Sequence, residues 1–433
     1  MSLAEDQIPD EVREVCARLR ERGHRAWIVG GCVRDLLLGR EVNDWDICTS
    51  AKPKETKAAF RKVIPTGIQH GTVTVLWKGV PYEVTTLRGE GAYSDGRRPD
   101  EVFFVDDIAD DLARRDFTVN AIAYEPTSGT LVDPFGGAED LAARRIRAVG
   151  VPAERFAEDG LRILRGARFV GTLEFTLEDE TEAAFAGALD TFEKVSHERI
   201  REEWLKAMKA PRPSPAFEVM RRTGILDRSC PLLPPLADWP VGDRNAWEVC
   251  LRALDDLQGP PEERLAALLH GVGRPRATDE TYPGASADLL EKWLTDYRFS
   301  KDERRTITHL VRHQRVDPSV DERGVRRFLQ RAEKARAPAV LRVRRAIVRA
   351  EGGDENALAG FQEEVEKALA LNVPTTVGDL AVKGHDVQAA LGRGGRAIGE
   401  ILRTLLDEVL DNPSLNERET LLARIAALAP EHQ

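Results

Sequence analysis

The chain has 433 residues with a formal net charge of −10, 42% hydrophobic and 31% charged. That length exceeds what one core serves and suggests about three domains, and the composition excludes a disordered chain. No apolar run approaches the ~18 residues of a membrane span, and five scattered cysteines outside any CxxC pair exclude a disulfide framework or a thiolate zinc site.

In chain order, MSLAEDQIPDEVREV is acidic and amphipathic. It has the character of neither a signal nor a transit peptide and reads as the first helix of a cytoplasmic protein. AWIVGG reads as a buried strand running into a glycine turn, and VRDLLLG as a short helix closed by Gly39. Such a junction lets backbone N–H groups at a helix start face a phosphate with no Cβ in the way, at Gly30 and Gly31. Arg34, one turn in, is placed to add a charge-assisted contact. An ordinary structural joint reads the same way, and the later glycines and Lys-Ser/Thr of a P-loop or dinucleotide fingerprint are missing.

VNDWDICT has the texture of a strand, whose alternation points Asp44 and Asp46 to one face and Trp45 to the other. Two carboxylates on one face repel unless a cation lies between them, and hard oxygen ligands at this spacing suit Mg²⁺. TVTVLW and YEVTTL are further strands, and Glu83 in the second is a candidate third acid. Three carboxylates beside a phosphate-binding turn suit two-metal nucleotidyl transfer. One metal activates an attacking 3′-hydroxyl, and the other stabilises the departing pyrophosphate. VFFV is the last clear strand signal.

From about Glu139 onward the chain reads as helix after helix: DLAARRIRAV, AEDGLRILRGARF, ERIREEWLKAM, FEVMRRTGIL, DLLEKWLTDY and AIGEILRTLLDEVL. Proline clusters at PRPSP and PLLPPLADWP mark joints. The expected fold is an α/β head, a mixed sheet with helices, followed by an all-α neck, body and tail. In EDGLR, Asp159 and Arg162 are three apart and are expected as neighbours on one helix face. A carboxylate that accepts beside a guanidinium that donates makes a base-pairing edge out of protein. Cytosine and adenine, each with an amino donor beside a ring-nitrogen acceptor, fit that edge; uracil and guanine set an N–H against Arg162. A plain i,i+3 salt bridge is the other reading of the pair. The acidic net charge argues weakly against nucleic acid, yet residues 323–349 carry ten Lys/Arg and one acid, Glu333. That stripe fits a phosphate backbone or a solvated helix face.

In this order the motifs resemble the class II tRNA nucleotidyltransferases and bacterial poly(A) polymerases of the polymerase-β superfamily. GGCVRDLLLG…NDWDI resembles the catalytic motif, DDLARRDFTVNAIAY the ribose-binding motif, and DPFGGAEDLAARRIRAVG the hinge that follows. ERFAEDGLRILRGARF is similar to the nucleotide-selecting motif, and LAVKGHDVQAALG…IGEILRTLLDEVL is family-like as well. The resemblance implies a nucleotidyltransferase head at 1–145, a neck at 146–210, a helical body at 211–330 and a tRNA-binding helical tail at 331–433. It implies that Asp44 and Asp46 bind the metals, with Glu83 as the third catalytic acid, and that Gly30, Gly31 and Arg34 contact the triphosphate. It places Arg115, Asp116 and Asn120 at the sugar and phosphates, and Asp159, Arg162, Arg165 and Arg168 in nucleotide binding.

The implied reaction adds C, C and A to the 3′ end of tRNA from CTP and ATP, with Mg²⁺ as cofactor. The implied partners are the 3′ end and upper half of tRNA, read by shape and backbone, with no membrane. A full loop at 88–98 speaks against a CC-only enzyme; an A-adding enzyme and a poly(A) polymerase are the near alternatives, and a non-catalytic RNA-binding protein the distant one. RLAALLHGVGRPR resembles an HD-type metal phosphohydrolase signature, but Gly271 replaces the bridging aspartate. His270, His309 and His313 lack the carboxylate and imidazole partners of a metal site, so this part is expected to be degenerate and structural.

Overall fold

Val12, Val15, Cys16 and Leu19 recur at helical spacing, and α1 (Asp10–Glu21) buries all four against the sheet. Asp10 and Glu11 in its first turn and Arg18 and Arg20 in its last complement the helix dipole. The computed structural model describes residues 3, 5–68, 71–90, 102–392 and 394–429. The chain forms two units, Met1–Pro231 and Leu232–Gln433, the division falling in the second proline cluster.

In the first unit β1 (Ala26–Val29) leads through Gly30 into α2 (Gly31–Leu37), and β2 (Asp46–Thr49) and α3 (Pro53–Ala59) follow. Next come β3 (Val63–Gly67), β4 (Thr72–Trp77), β5 (Val80–Thr86), β6 (Arg88–Glu90), β7 (Val102–Phe104) and α4 (Ile108–Ala113). The strands β8 (Ala123–Glu125) and β9 (Thr130–Val132) complete a seven-stranded sheet in the order β3-β4-β5-β2-β1-β8-β9. It is mixed: β2 runs parallel to β5 and antiparallel to β1. All four residues of β1 are buried, as befits a central strand. Lys78 and Gly79, both at positive φ, form the two-residue turn that joins β4 to β5. The segment VIPTG, a turn by its proline, is instead the edge strand β3, where a register shift between Ile64 and Gly67 accommodates Pro65.

DLAARRIRAV is not one helix. The helix α5 (Gly137–Ala142) stops before Arg144, which takes φ 52°, and β10 (Arg145–Ile146) follows. Next come α6 (Pro152–Glu158), α7 (Leu161–Leu173), β11 (Thr176–Leu177), which pairs in parallel with β10, and α8 (Asp179–Gly187). The first unit ends with α9 (Leu189–Phe192), α10 (His197–Ala207), α11 (Ser214–Arg222) and α12 (Ile225–Ser229). An aromatic cluster ties these helices to the sheet layer: the Phe117 ring meets Phe169 edge-on at 5.8 Å, and Phe156 meets Phe185 at 5.2 Å.

The second unit is helical throughout apart from a two-residue hairpin at 240–245. Its helices are α13 (Ala246–Asp256), α14 (Pro261–Leu269), α15 (Tyr282–Asp296), α16 (Lys301–His313), α17 (Glu322–Ala332) and α18 (Ala337–Glu351). After them come α19 (Glu355–Ala370), α20 (Gly384–Leu391), α21 (Arg396–Asp411) and α22 (Arg418–Leu428). Ile401, Leu405 and Val409 of α21 pack with Val387 of α20 and Ile425 of α22 in the core of the tail.

Several arginines of the basic stripe at 323–349 pair with acids and carbonyls elsewhere in the second unit. Arg323 and Arg327 pair with Asp411, and Arg326 donates to the carbonyls of Leu410 and Asp411, locking α17 to the end of α21. Arg342 pairs with the buried Glu263, and Arg349 bridges Asp256 and Glu355. These arginines answer the open carbonyls and acids of neighbouring helices, which is why the stripe is so dense. All five cysteines are free and buried. Burial pushes the thiols of Cys16, Cys32, Cys48 and Cys250 up to about 12.

The start of α5 sets a sharp constraint. A Cβ on Gly137 would lie 2.2 Å from the Thr118 carbonyl oxygen and 2.8 Å from Ile122. Gly137→Ala is expected to lower unfolding stability by about 2 kcal/mol, measured by urea denaturation, because backbone atoms must move. A variant as stable as the parent would contradict this packing.

Candidate active site

The carboxylates sit where the sheet places them. The β2 strand begins at Asp46, later than the sequence suggests, so Asp44 and Trp45 precede it. Trp45 is buried and anchors this approach, while Asp44 and Asp46 both line one open cavity of about 730 Å³. In the parallel register of β2 and β5, Asp46 faces Glu83, so the third acid stands beside it on the same face. The Asp46 carboxyl is held above its usual range, first by withdrawal of water and then by the charge of Asp44. Arg115 opposes this rise and Glu83 adds to it. Crowded acids of this kind are relieved by a cation. Among the described residues no group of three His, Cys, Asp or Glu could by itself hold a metal. Asp44 and Asp46 fit a hard divalent ion that takes its remaining oxygens from phosphate and water.

Gly30 links this edge to the opposite wall. It takes φ 77° and ψ −126°, a backbone that requires glycine, and a Cβ there would also push on the Arg115 guanidinium, 2.7 Å away. Gly30, Gly31 and Arg34 all line the cavity. Arg34 donates through Nη1 to Asn120 Oδ1 (2.7 Å) and through Nε and Nη2 to Asp35 (both 2.9 Å). Asn120 Nδ2 donates to Asp116 Oδ1 (3.2 Å), and Arg165 Nε donates to Asp116 Oδ2 (2.7 Å). Arg168 Nε donates to Glu203 Oε2 (2.5 Å), and Arg165 reaches the same carboxylate at 3.8 Å. A continuous polar chain thus runs from α2 to α10 along the cavity. Phe169 lies beneath it, with the guanidinium carbons of Arg168, Arg165 and Arg34 at 4.1, 5.5 and 5.6 Å from its ring centre.

Asp159 and Arg162 do not share a helix face. Asp159 lies between α6 and α7 with φ −146° and ψ 106°, and only Arg162 is helical. The break lies at Asp159 itself; Gly160 is already helical, and a Cβ there would lie 2.3 Å from the Phe192 backbone nitrogen, so no side chain fits. The plain i,i+3 salt bridge is absent from the described contacts of the pair. Asp159 accepts from Arg199 (2.6 and 3.2 Å), while Arg162 donates to Glu158 (2.6 Å) and to the carbonyls of Arg155 and Arg114 (3.0 and 3.1 Å). Both residues nevertheless line the cavity that holds Asp44 and Asp46.

Arg199 and Glu203 escaped the sequence reading. They stand four apart in ERIREEW, on one face of α10, and Glu203 is 2% exposed. A carboxylate in the middle of an otherwise apolar helix face was the available signal. The histidines of the second unit make no site. His270 is fully buried, its Nδ1 bonded to the Ala267 carbonyl (2.8 Å), and burial pushes its pKa down to about 3. A Cβ on Gly271 would sit 3.2 Å from Cys250 Sγ, a tight contact at the position where the HD signature has an aspartate.

Comparison with known proteins gives a consistent picture. The family model described as "Poly A polymerase head domain" matches residues 26–147, and that described as "Probable RNA and SrmB- binding site of polymerase A" matches 174–236. A CCA-adding enzyme of Lactobacillus helveticus is 49% identical over 341 residues, 75% of this chain and 84% of that protein. The match to that of Lactobacillus johnsonii, 45% identical, takes in 55% of this chain and spans only 62% of the relative's length. The crystal structure of the Bacillus stearothermophilus CCA-adding enzyme in complex with CTP superposes with a TM-score of 0.78 at 32% identity, covering 98% of both chains.

Asp116 is the buried joint of the polar chain, and Arg165 with Asn120 lowers its pKa from 3.8 to about 2 against the cost of burial. Asp116→Asn leaves Arg165 without its nearest charge, and a loss of about 3 kcal/mol is expected at neutral pH. Because the folded pKa is depressed, this contribution is complete above about pH 4 and disappears as pH falls towards 2. Urea unfolding of parent and variant across that range checks it; a deficit independent of pH would contradict the ion pair.

Proposed function

The chain belongs to the CCA-adding enzyme and poly(A) polymerase family of nucleotidyltransferases, and from that premise we propose that it adds C, C and A to the 3′ end of tRNA. CTP and ATP are the proposed donors and pyrophosphate the by-product. One observation carries this reading: the base-selecting pair Asp159 and Arg162 opens into the same cavity as the acids Asp44 and Asp46. A nucleotide bridging them would have its base read at one end and its α-phosphate attacked at the other. The finer division into head, neck, body and tail at 145, 210 and 330 belongs to the same reading, as does a cytoplasmic place of work. No described helix is long and apolar enough to cross a membrane.

The residues divide the task. Arg34 and the Gly30–Gly31 turn would take the triphosphate, and Arg115, Asp116 and Asn120 the sugar and phosphates, through charge-assisted hydrogen bonds. Arg165 and Arg168, set over Phe169, add positive charge to the same wall. Asp44 and Asp46 would hold divalent metal, for which Mg²⁺ suits the donor set, and the bound metal supplies activation of the 3′-hydroxyl and neutralisation of the leaving group. Asp159 would accept the amino hydrogen of cytosine or adenine while Arg162 donates to the ring nitrogen. Asp159 is held by Arg199, and Arg162 by Glu158 and two backbone carbonyls, so a bound base would share or displace these contacts.

The choice between a CCA-adding enzyme and a poly(A) polymerase rests on the relatives. Residues 91–98 of the loop that bears on it lie outside the described residues. In the decisive assay, tRNA lacking its 3′ end incorporates two residues from CTP alone and is completed when ATP is added. ATP alone giving a long tail would establish poly(A) synthesis instead. Asp46→Ala is expected to reduce incorporation at least ~1,000-fold while tRNA binding, followed by gel shift, is retained. Activity surviving this change would remove Asp46 from the reaction, and no activity in the parent would favour an RNA-binding protein.

A further inference from the structure

The nucleotide cavity lies on one side of Asp46 only. Its walls come from the β1 turn, α2, the segment around Asp116 and the helices α7 and α10, and Glu83 is not part of them. In the sheet order β5 lies across β2 from β1, so Glu83 is on the far side of Asp46 from the glycine turn. An in-line displacement brings the attacking oxygen from the side opposite the pyrophosphate. The acceptor strand therefore has to arrive over β5, β4 and β3.

That part of the sheet is built to receive it. Asp46 faces Glu83, Glu83 faces Thr74, and Thr74 faces Ile64, which sets four side chains in a row on one face. Thr72 and Thr85 also face each other, with hydroxyls 3.0 Å apart, and Thr66 and Thr74 pair at 2.9 Å. On the β1 side of the same face, Trp27, Val29 and Cys48 are covered by Ile108 and Leu112 of α4. Beyond Asp46 that cover ends among the described residues: Glu83 and Thr66 are exposed, Thr72 and Thr85 are half-buried, Ile64 is 43% exposed, and only Thr74 in the row is buried. Each hydroxyl pair uses one donor internally and keeps a second donor and several acceptors for a ligand.

We propose that this threonine-lined shelf is the docking surface for the unpaired 3′ strand of the acceptor RNA, with Thr72 and Thr85 hydrogen-bonding its sugar–phosphate and Ile64 packing against its sugars. Neutral hydroxyls suit a strand that must carry its terminal oxygen up to a cluster of acids: they bind phosphate and ribose without adding repulsion. They read no base, which fits an acceptor end common to many tRNAs. The proposal rests on the CCA-adding reading for the identity of the acceptor, and its tests separate the two.

The double variant Thr72→Val/Thr85→Val removes two hydroxyls at nearly constant shape. In the full chain, KM for tRNA lacking CCA is expected to rise about tenfold, while KM for CTP and the choice of CTP and ATP over UTP and GTP stay unchanged. Thr72→Ser/Thr85→Ser should restore the parent value. Should the valine variant fold poorly, Ile64→Glu at the exposed end of the row is expected to raise the same KM by repulsion, with the thermal midpoint unchanged. A tRNA with a photoreactive 3′-terminal nucleotide should crosslink to residues 63–67, 72–77 or 80–86. Unchanged tRNA KM in both variants, or crosslinks confined to the helices after residue 150, would overturn the shelf. Absence of nucleotide incorporation by the parent would instead overturn the CCA-adding reading and leave the crosslinks to judge the shelf.

Discussion

The buried pair Asp116–Arg165 is the contact on which the first unit turns. Asp116 follows α4 and Arg165 comes from α7, so their 2.7 Å bond fastens the sheet layer to the helices that follow it. Asp116 is buried and needs a partner for its charge, while Arg165 is 31% exposed. Each end of the pair is extended by further partners, Asn120 and Arg34 towards the glycine turn, Glu203 and Arg168 towards α10. The distance between Asp44 and Asp46 at one end of the cavity and Asp159 and Arg162 at the other is thereby set by hydrogen bonds along its wall.

The acids depend on a different constraint, strand register. A shift of one residue between β2 and β5 would send Glu83 to the opposite face and replace it beside Asp46 with an apolar side chain. The register is held by what lies underneath: Ile47 and Val84 face each other in the core, and both are almost fully buried. The apolar layer keeps the carboxylates together although their charges repel.

The sequence made the head's strands, the acid cluster and the long helices of the second unit legible, because each rests on local alternation or helical periodicity. AWIV, TVTVLW and YEVTT became strands, and Glu83 stood beside Asp46 as a third acid should. Two readings failed for one physical reason. EDGLR breaks at Asp159 and DLAARRIRAV turns at Arg144, single backbone departures that helical periodicity does not register. In the stripe at 323–349 the sequence shows the arginines and hides Asp411, Glu263 and Asp256, which pair with some of them from far along the chain. Arg199 and Glu203 stayed hidden likewise, since their partners, Asp159 before α7 and Arg168 on it, are more than thirty residues away.

The buried cysteines have a practical meaning of their own. With every thiol shielded and at least four held protonated, an alkylating reagent finds no target in the closed molecule. Labelling proceeds only as fast as each region opens. Cys32 follows the glycine turn and Cys48 lies two residues beyond Asp46, so they time the breathing of the catalytic floor, while Cys250 on α13 times the second unit. The protein therefore carries a native set of clocks, with no engineered probe needed, for how often each part comes apart.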